Sequence, residues 1–153
     1  MSVDFTHQPR PRLPLRHRPA ALVAVGIAHL IARQSPLRIQ TVLTHVRRGA
    51  RPATAVQAKA ARDAVIAVSL SCAGEGCLPR SIATALLCRT HGVWPTWRTG
   101  VHIHPFTAHA WVEADGHPID EPHPPGYYIP NITIAPCDDQ GKRPISGRGR
   151  RRR

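Results

Sequence analysis

Cys77 stands where a turn of small residues, Cys72-Ala-Gly-Glu-Gly-Cys77, meets the segment Leu78-Pro-Arg-Ser-Ile-Ala-Thr-Ala-Leu-Leu-Cys88. Proline is tolerated in the first turn of a helix, so Pro79 puts a helix start beside Cys77. A thiol there lies near unpaired N–H groups and the positive end of the helix dipole, both of which favour the nucleophilic thiolate. Gly76 lets the chain turn sharply and lets a substrate backbone approach. A cysteine without a partner is more often a buried, inert residue, so a base must be found. His109, in Ala108-His-Ala-Trp-Val-Glu-Ala, is the candidate: two alanines leave room around the ring. An imidazole there can take a proton from a thiol and return it to a leaving amine. A lone strand histidine is usually structural, and its meaning changes only if Cys77 and an acid converge on it.

The acid comes from a hairpin. Asp115–Gly116 is a strong two-residue turn signal, and with that turn Trp111 pairs with Asp120 and His109 with Pro122. Asp120 then lies diagonally beside His109 on one face. A bulge or a three-residue turn shifts the register and brings Glu121 there instead. Either carboxylate can hold the imidazole in its useful tautomer and support the imidazolium. The two-residue turn favours Asp120.

The elements that must position these groups change character along the chain. A helical region begins near Pro19. Ser35–Pro36 starts a second helix, with Ile39, Val42, Leu43 and Val46 on one face and Gly49 at its end. Pro52 opens a third, alanine-rich helix running to about Ser71, and Gly92 stops the helix that begins at Cys77. Residues 94–104 and 108–114 read as strands, followed by 117–120, a proline-rich loop over 121–130 and a short strand at 132–134. Helices first and an antiparallel sheet afterwards make an α+β domain.

The length of 153 residues suits one domain with its own core. A formal charge of +12 suggests nucleic acid, but the excess sits at the ends. Residues 1–18 hold four Arg against Asp4, and residues 142–153 hold Lys142 and six Arg with no acid. Between them, ten bases face eight acids. The expected organisation is a basic tail at 1–18, a domain at 19–136 and a second basic tail at 137–153, the tails solvated. The longest apolar stretch, 20–32, is interrupted by Gly26 and His29 and falls short of the roughly 20 residues that cross a bilayer. It follows a polar lead and lacks a cleavage site, so it makes a poor signal peptide. The expected compartment is the cytoplasm, with reduced cysteines.

Three features point elsewhere and lead nowhere. His102 and His104 share a strand face, but Cys72-x4-Cys77 is no standard ligand spacing, so no metal is expected. Cys77 and Cys88 lie on one helical face about 16 Å apart by helix rise, too far to bridge. Trp94, Trp97 and Trp111 can stack on bases, yet in a nearly neutral domain they fill the core or line the cleft.

A family resemblance spans residues 20–136. Cys77-Leu-Pro-Arg-Ser, Leu86-Leu-Cys-Arg, Gly92-Val-Trp-Pro-Thr-Trp, Pro105-Phe-Thr-Ala-His-Ala-Trp-Val-Glu-Ala-Asp-Gly and Glu121-Pro-His-Pro-Pro-Gly-Tyr-Tyr resemble the lasso peptide leader peptidases. These are bacterial cysteine proteases with a transglutaminase-like, papain-related fold. The resemblance implies Cys77 as nucleophile, His109 as general base and Asp120 or Glu121 as the acid, with no cofactor. It implies removal of a leader from a ribosomally made precursor, after a penultimate threonine, so that a macrolactam synthetase can close the ring. The residues before Cys77 read as helices and a tail, so the expected form is the stand-alone protease served by a separate leader-recognition protein. The Cys77 backbone N–H is the expected first oxyanion donor. Two other readings stand beside it: a non-catalytic binding module acting through its basic tails on nucleic acid or an assembly partner, and an acyltransferase using the same Cys77–His109 pair to pass the acyl group to an amine. Neither a membrane nor nucleic acid is the expected partner.

Overall fold

The computed structural model describes residues 14–137, so most of both basic segments lies outside the described residues. Leu15–His17 forms a 3₁₀ turn that runs directly into α1 (Arg18–Ala32), with Pro19 in the first turn. Pro36 opens α2 (Pro36–Val46), and Gly49 follows it with φ 72°. Ser35 precedes α2, although its side chain makes no capping bond.

Pro52 does not open a helix. It lies in β1 (Arg51–Pro52), a two-residue strand parallel to β2 (Val93–Trp94). The flanking N–H groups of Arg51 and Ala53 donate to Gly92 and Trp94 (3.1 and 2.9 Å), so proline's missing donor falls where none is needed. The helix start belongs to Thr54. Its hydroxyl accepts from the Gln57 N–H while the Gln57 side chain accepts from the Thr54 N–H, a reciprocal cap that begins α3 (Ala55–Val68). Asp115 adds a carboxylate 2.7 Å from the Ala55 N–H, favourable at the positive end of a helix. Nor does α3 reach Ser71: Ser69 turns extended and caps the short α4 (Leu70–Ala73) through its hydroxyl.

Next come α5 (Cys77–Thr90), β3 (Thr96–His102), β4 (Thr107–Ala114), β5 (His117–Pro118) and β6 (Ile129–Ile134). The four strands order as β5-β4-β3-β6, antiparallel throughout. The architecture is α+β, as expected.

α5 is the central element, and α1, α3 and β4 all pack against it. The helices meet through alanines (Ala21, Ala24 and Ala28 of α1, Ala58, Ala61 and Ala64 of α3, Ala83 and Ala85 of α5). Larger residues close the gaps: Leu43, Val65 and Ile82 are fully buried, each contributing about 1.5–3 kcal/mol of hydrophobic stabilisation. Trp94 and Trp97 also lie in the core. Their indole N–H groups donate to the Ile134 carbonyl (3.1 Å) and the Ser81 hydroxyl (3.0 Å), so neither presents a face to a base. Trp111 lies on the other face of the sheet. Strand alternation sends Val112 and Ala114 into the core and His109, Trp111 and Glu113 to the outer face. Among the described residues no helix is long and apolar enough to cross a membrane.

Candidate active site

The turn before α5 is held from three directions. The Gly76 N–H donates to the Ser71 carbonyl (3.1 Å), and Arg80 reaches back to the carbonyls of Cys72 and Gly74 (both 3.1 Å). A Cβ at Gly76 would sit 2.6 Å from the Ser71 oxygen, so no other residue fits there without moving α4. Cys77 therefore enters the first turn of α5 in a defined direction.

β4 supplies what the sulfur meets. On the side away from β3, β4 is paired by β5 only at Glu113 and Ala114, with one further bond from the Ile119 N–H to the Val112 carbonyl. Ala110 presents its N–H to the same edge two residues earlier, where it favours the Cys77 thiolate. The His109 ring faces the same sulfur, and each group favours the charged form of the other. Its Nε2 lies 2.6 Å from Glu121 Oε2, which leaves Nδ1 for the thiol. His109 and Glu121 side chains are 13% and 9% exposed, so their bond is sheltered from water.

The turn at Asp115–Gly116 has two residues and positive φ at both (51° and 78°), as expected for a tight hairpin. Asp120 nevertheless does not reach His109. The ladder ends after Pro118, and Asp120 adopts φ 49°, which reverses the side on which the next residue falls. Asp120 points to α3, 2.5 Å from Lys59 Nζ, and Glu121 takes the place beside the imidazole.

These contacts set the charge state. At Cys77, burial opposes the thiolate, but the His109 and Ala110 hydrogen bonds and the charges of His109 and Arg80 outweigh it. The thiol is held below its ordinary value. At His109, burial favours the neutral ring, while the hydrogen bonds and charges of Cys77 and Glu121 push the imidazolium up to about 9. Both shifts act in favour of a thiolate–imidazolium pair backed by a carboxylate.

The Cys77 N–H is not free. It donates to the Glu75 carbonyl at 2.8 Å across an inverse γ-turn at Gly76 (φ −74°, ψ 57°). The expected oxyanion donor is therefore occupied in this conformation, because the turn before α5 supplies an acceptor of its own.

A transglutaminase-like superfamily family model matches residues 21–133. The chain belongs to that superfamily. Its members are generally cysteine proteases or acyltransferase-like enzymes. No curated protein and no solved structure matches the chain.

Around this transglutaminase-like site lie residues that spacing alone did not reveal. Tyr128 stacks on His109 at 4.9 Å and Trp111 at 6.0 Å, both shielding the imidazole. Trp111 donates its indole N–H to Glu113 (2.9 Å), which faces Arg98 at 3.2 Å outside hydrogen-bond alignment. Together with the loop before β6 and Pro130 at its start, these residues line a pocket of about 160 Å³ next to His109. His102 stacks on Tyr127 (4.3 Å) with His123 on the same ring (4.2 Å). Among the described residues no cluster of His, Cys, Asp or Glu can hold a metal ion.

Proposed function

We propose that this superfamily member is a bacterial cysteine endopeptidase that cuts the leader from a ribosomally made lasso peptide precursor, in the cytoplasm, before macrolactam closure. The observation that carries the peptidase reading is the meeting of Cys77, His109 and Glu121. The ordered blocks from Cys77-Leu-Pro-Arg-Ser to Glu121-Pro-His-Pro-Pro-Gly-Tyr-Tyr support the leader as substrate. In this reading a separate recognition protein presents the leader, and the synthetase receives the freed core.

The Cys77 thiolate attacks the carbonyl at the leader–core junction, forming a C–S bond as the carbonyl electrons move to oxygen. Collapse of that intermediate expels the core amine, protonated by the His109 imidazolium, and leaves a thioester on Cys77. His109, now neutral, takes a proton from water, and the hydroxide releases the leader carboxylate and restores the thiolate. Glu121 holds Nε2–H throughout, which keeps Nδ1 aimed at the sulfur. For the Cys77 N–H to stabilise the oxyanion, it must leave the Glu75 carbonyl, a rotation of the peptide unit that substrate binding can drive.

The test is mass analysis of precursor peptide incubated with the full chain and the recognition protein. Cleavage at the junction by the parent and none by Cys77→Ala is expected. Unchanged trimming by Cys77→Ala overturns the nucleophile. An adduct with added amine in place of a free carboxylate identifies acyl transfer as the activity instead.

A further inference from the structure

Asp120 and Asp115 are the two non-glycine residues with positive φ among the described ones. Asp115 belongs to a tight hairpin, which demands that conformation. No hairpin demands it at Asp120, and a residue with a Cβ adopts it there only where its surroundings hold it.

Those surroundings are two cations of α3. Lys59 Nζ lies 2.5 Å from Asp120 Oδ2 and 3.3 Å from Asp63. Arg62 donates through Nη2 to the Asp120 backbone carbonyl (3.0 Å), with Nη1 3.8 Å from the carboxylate. Lys59 and Arg62 are three apart and share one face of the helix. Arg62 is only 4% exposed, a guanidinium set in a helix otherwise buried through alanines, Val65 and Ile66. Burial and the neighbouring Arg80 both work against its charge. Such a position is costly for a cation, and its contact with a backbone carbonyl one residue from Glu121 gives it a use.

We propose that Lys59 and Arg62 are positioning residues: by gripping both the carbonyl and the carboxylate of Asp120 they fix the left-handed backbone that delivers Glu121 to His109. The inference rests on the reading of Cys77, His109 and Glu121 as one reacting unit. The clamp acts on that unit through Glu121. The charged or titratable groups facing the unit are Arg62 behind Glu121, Arg80 behind Cys77 and Tyr128 over the ring.

The experiment follows the rate of iodoacetamide alkylation at Cys77 against pH, read by peptide mapping, alongside kcat and KM on the precursor. Glu121→Gln is expected to raise the alkylation midpoint. Arg62→Met is expected to raise it too, by about one pH unit, and to lower kcat about 10- to 100-fold with little change in KM. The Arg62→Met/Glu121→Gln double variant should be no worse than Glu121→Gln alone, because the clamp has nothing left to position. Should Arg62→Met not fold, Asp120→Ala, at a partly exposed position, gives the same reading. Asp120→Asn, which tolerates positive φ, should restore most of what Asp120→Ala loses. Parent-like midpoints and kcat in Arg62→Met and Asp120→Ala, or losses that add fully to those of Glu121→Gln, overturn the clamp. A Cys77 midpoint unmoved by Glu121→Gln overturns the three-residue unit itself, and the clamp with it.

Discussion

α5 carries one cysteine in its first turn and another in its last, and their surroundings drive them in opposite directions. Cys88 is 2% exposed, and burial alone pushes its thiol up to about 12. Cys77 is also partly buried, yet its thiol is held below the ordinary value. The helix is the same, and the desolvation acts in the same sense. What differs is β4, which brings an imidazole and the Ala110 N–H to the first turn, together with Arg80 one turn along. The lowered thiol at Cys77 comes mainly from partners delivered by another part of the chain, whereas burial in the same helix alone raises a thiol.

Removing either member of the pair should have the largest effect. Cys77→Ala and His109→Ala are each expected to lower kcat on the precursor by at least about 10⁴-fold, measured in purified variants with parent-like circular dichroism. His109→Ala also tests the comparison directly. With the ring gone, burial dominates at Cys77 as at Cys88, so the iodoacetamide midpoint of Cys77 should climb toward that of an ordinary or buried thiol.

Glu121→Gln comes next, with a loss of about 10²–10⁴-fold in kcat, because the amide no longer supports the imidazolium or fixes its tautomer. Asp120→Asn should cost far less. Equal small losses at both positions would reduce the site to a Cys–His pair.

The pH profile sharpens the contrast further. Activity should rise as Cys77 loses its proton, at a pH below the ordinary thiol range, and fall as His109 loses its own at about 9. The sign for stability follows from the same shift. The His109 value is raised from 6.5 to about 9, so its protonated form contributes stability fully below about pH 6.5, and this contribution is lost as pH rises through about 9. Urea unfolding of the parent and His109→Asn should show their difference attributable to this group shrinking across that window.

Cys88→Ala should matter least for chemistry. Turnover is expected to be unchanged, with unfolding free energy lower by about 1 kcal/mol for the small cavity left. A fall in kcat comparable with that of Glu121→Gln would erase the distinction between the two ends of α5.

Much of the frame was legible because it depends on near neighbours. Pro79 after Gly76 marks the start of α5, and Asp115–Gly116 marks a two-residue turn. Pro52 misled for an instructive reason. Proline before an alanine-rich run resembles a helix start, but Thr54 with Gln57 offers a full reciprocal cap two residues later, and β2 claims the N–H groups on either side of Pro52. The acid beside His109 was legible only as a choice of two. Counting outward from an ideal ladder led to Asp120, whereas the ladder ends at Pro118 and one left-handed residue reverses the face.

Chain order and local preference thus determined that a thiol would open a helix and that a histidine would lie on the first strand of a tight hairpin. Tertiary packing alone decided which carboxylate backs that histidine and that a buried arginine stands behind the site. The physical reason is separation along the chain: Lys59 and Arg62 grip Asp120 across 61 and 58 residues, and no local pattern encodes a contact of that span.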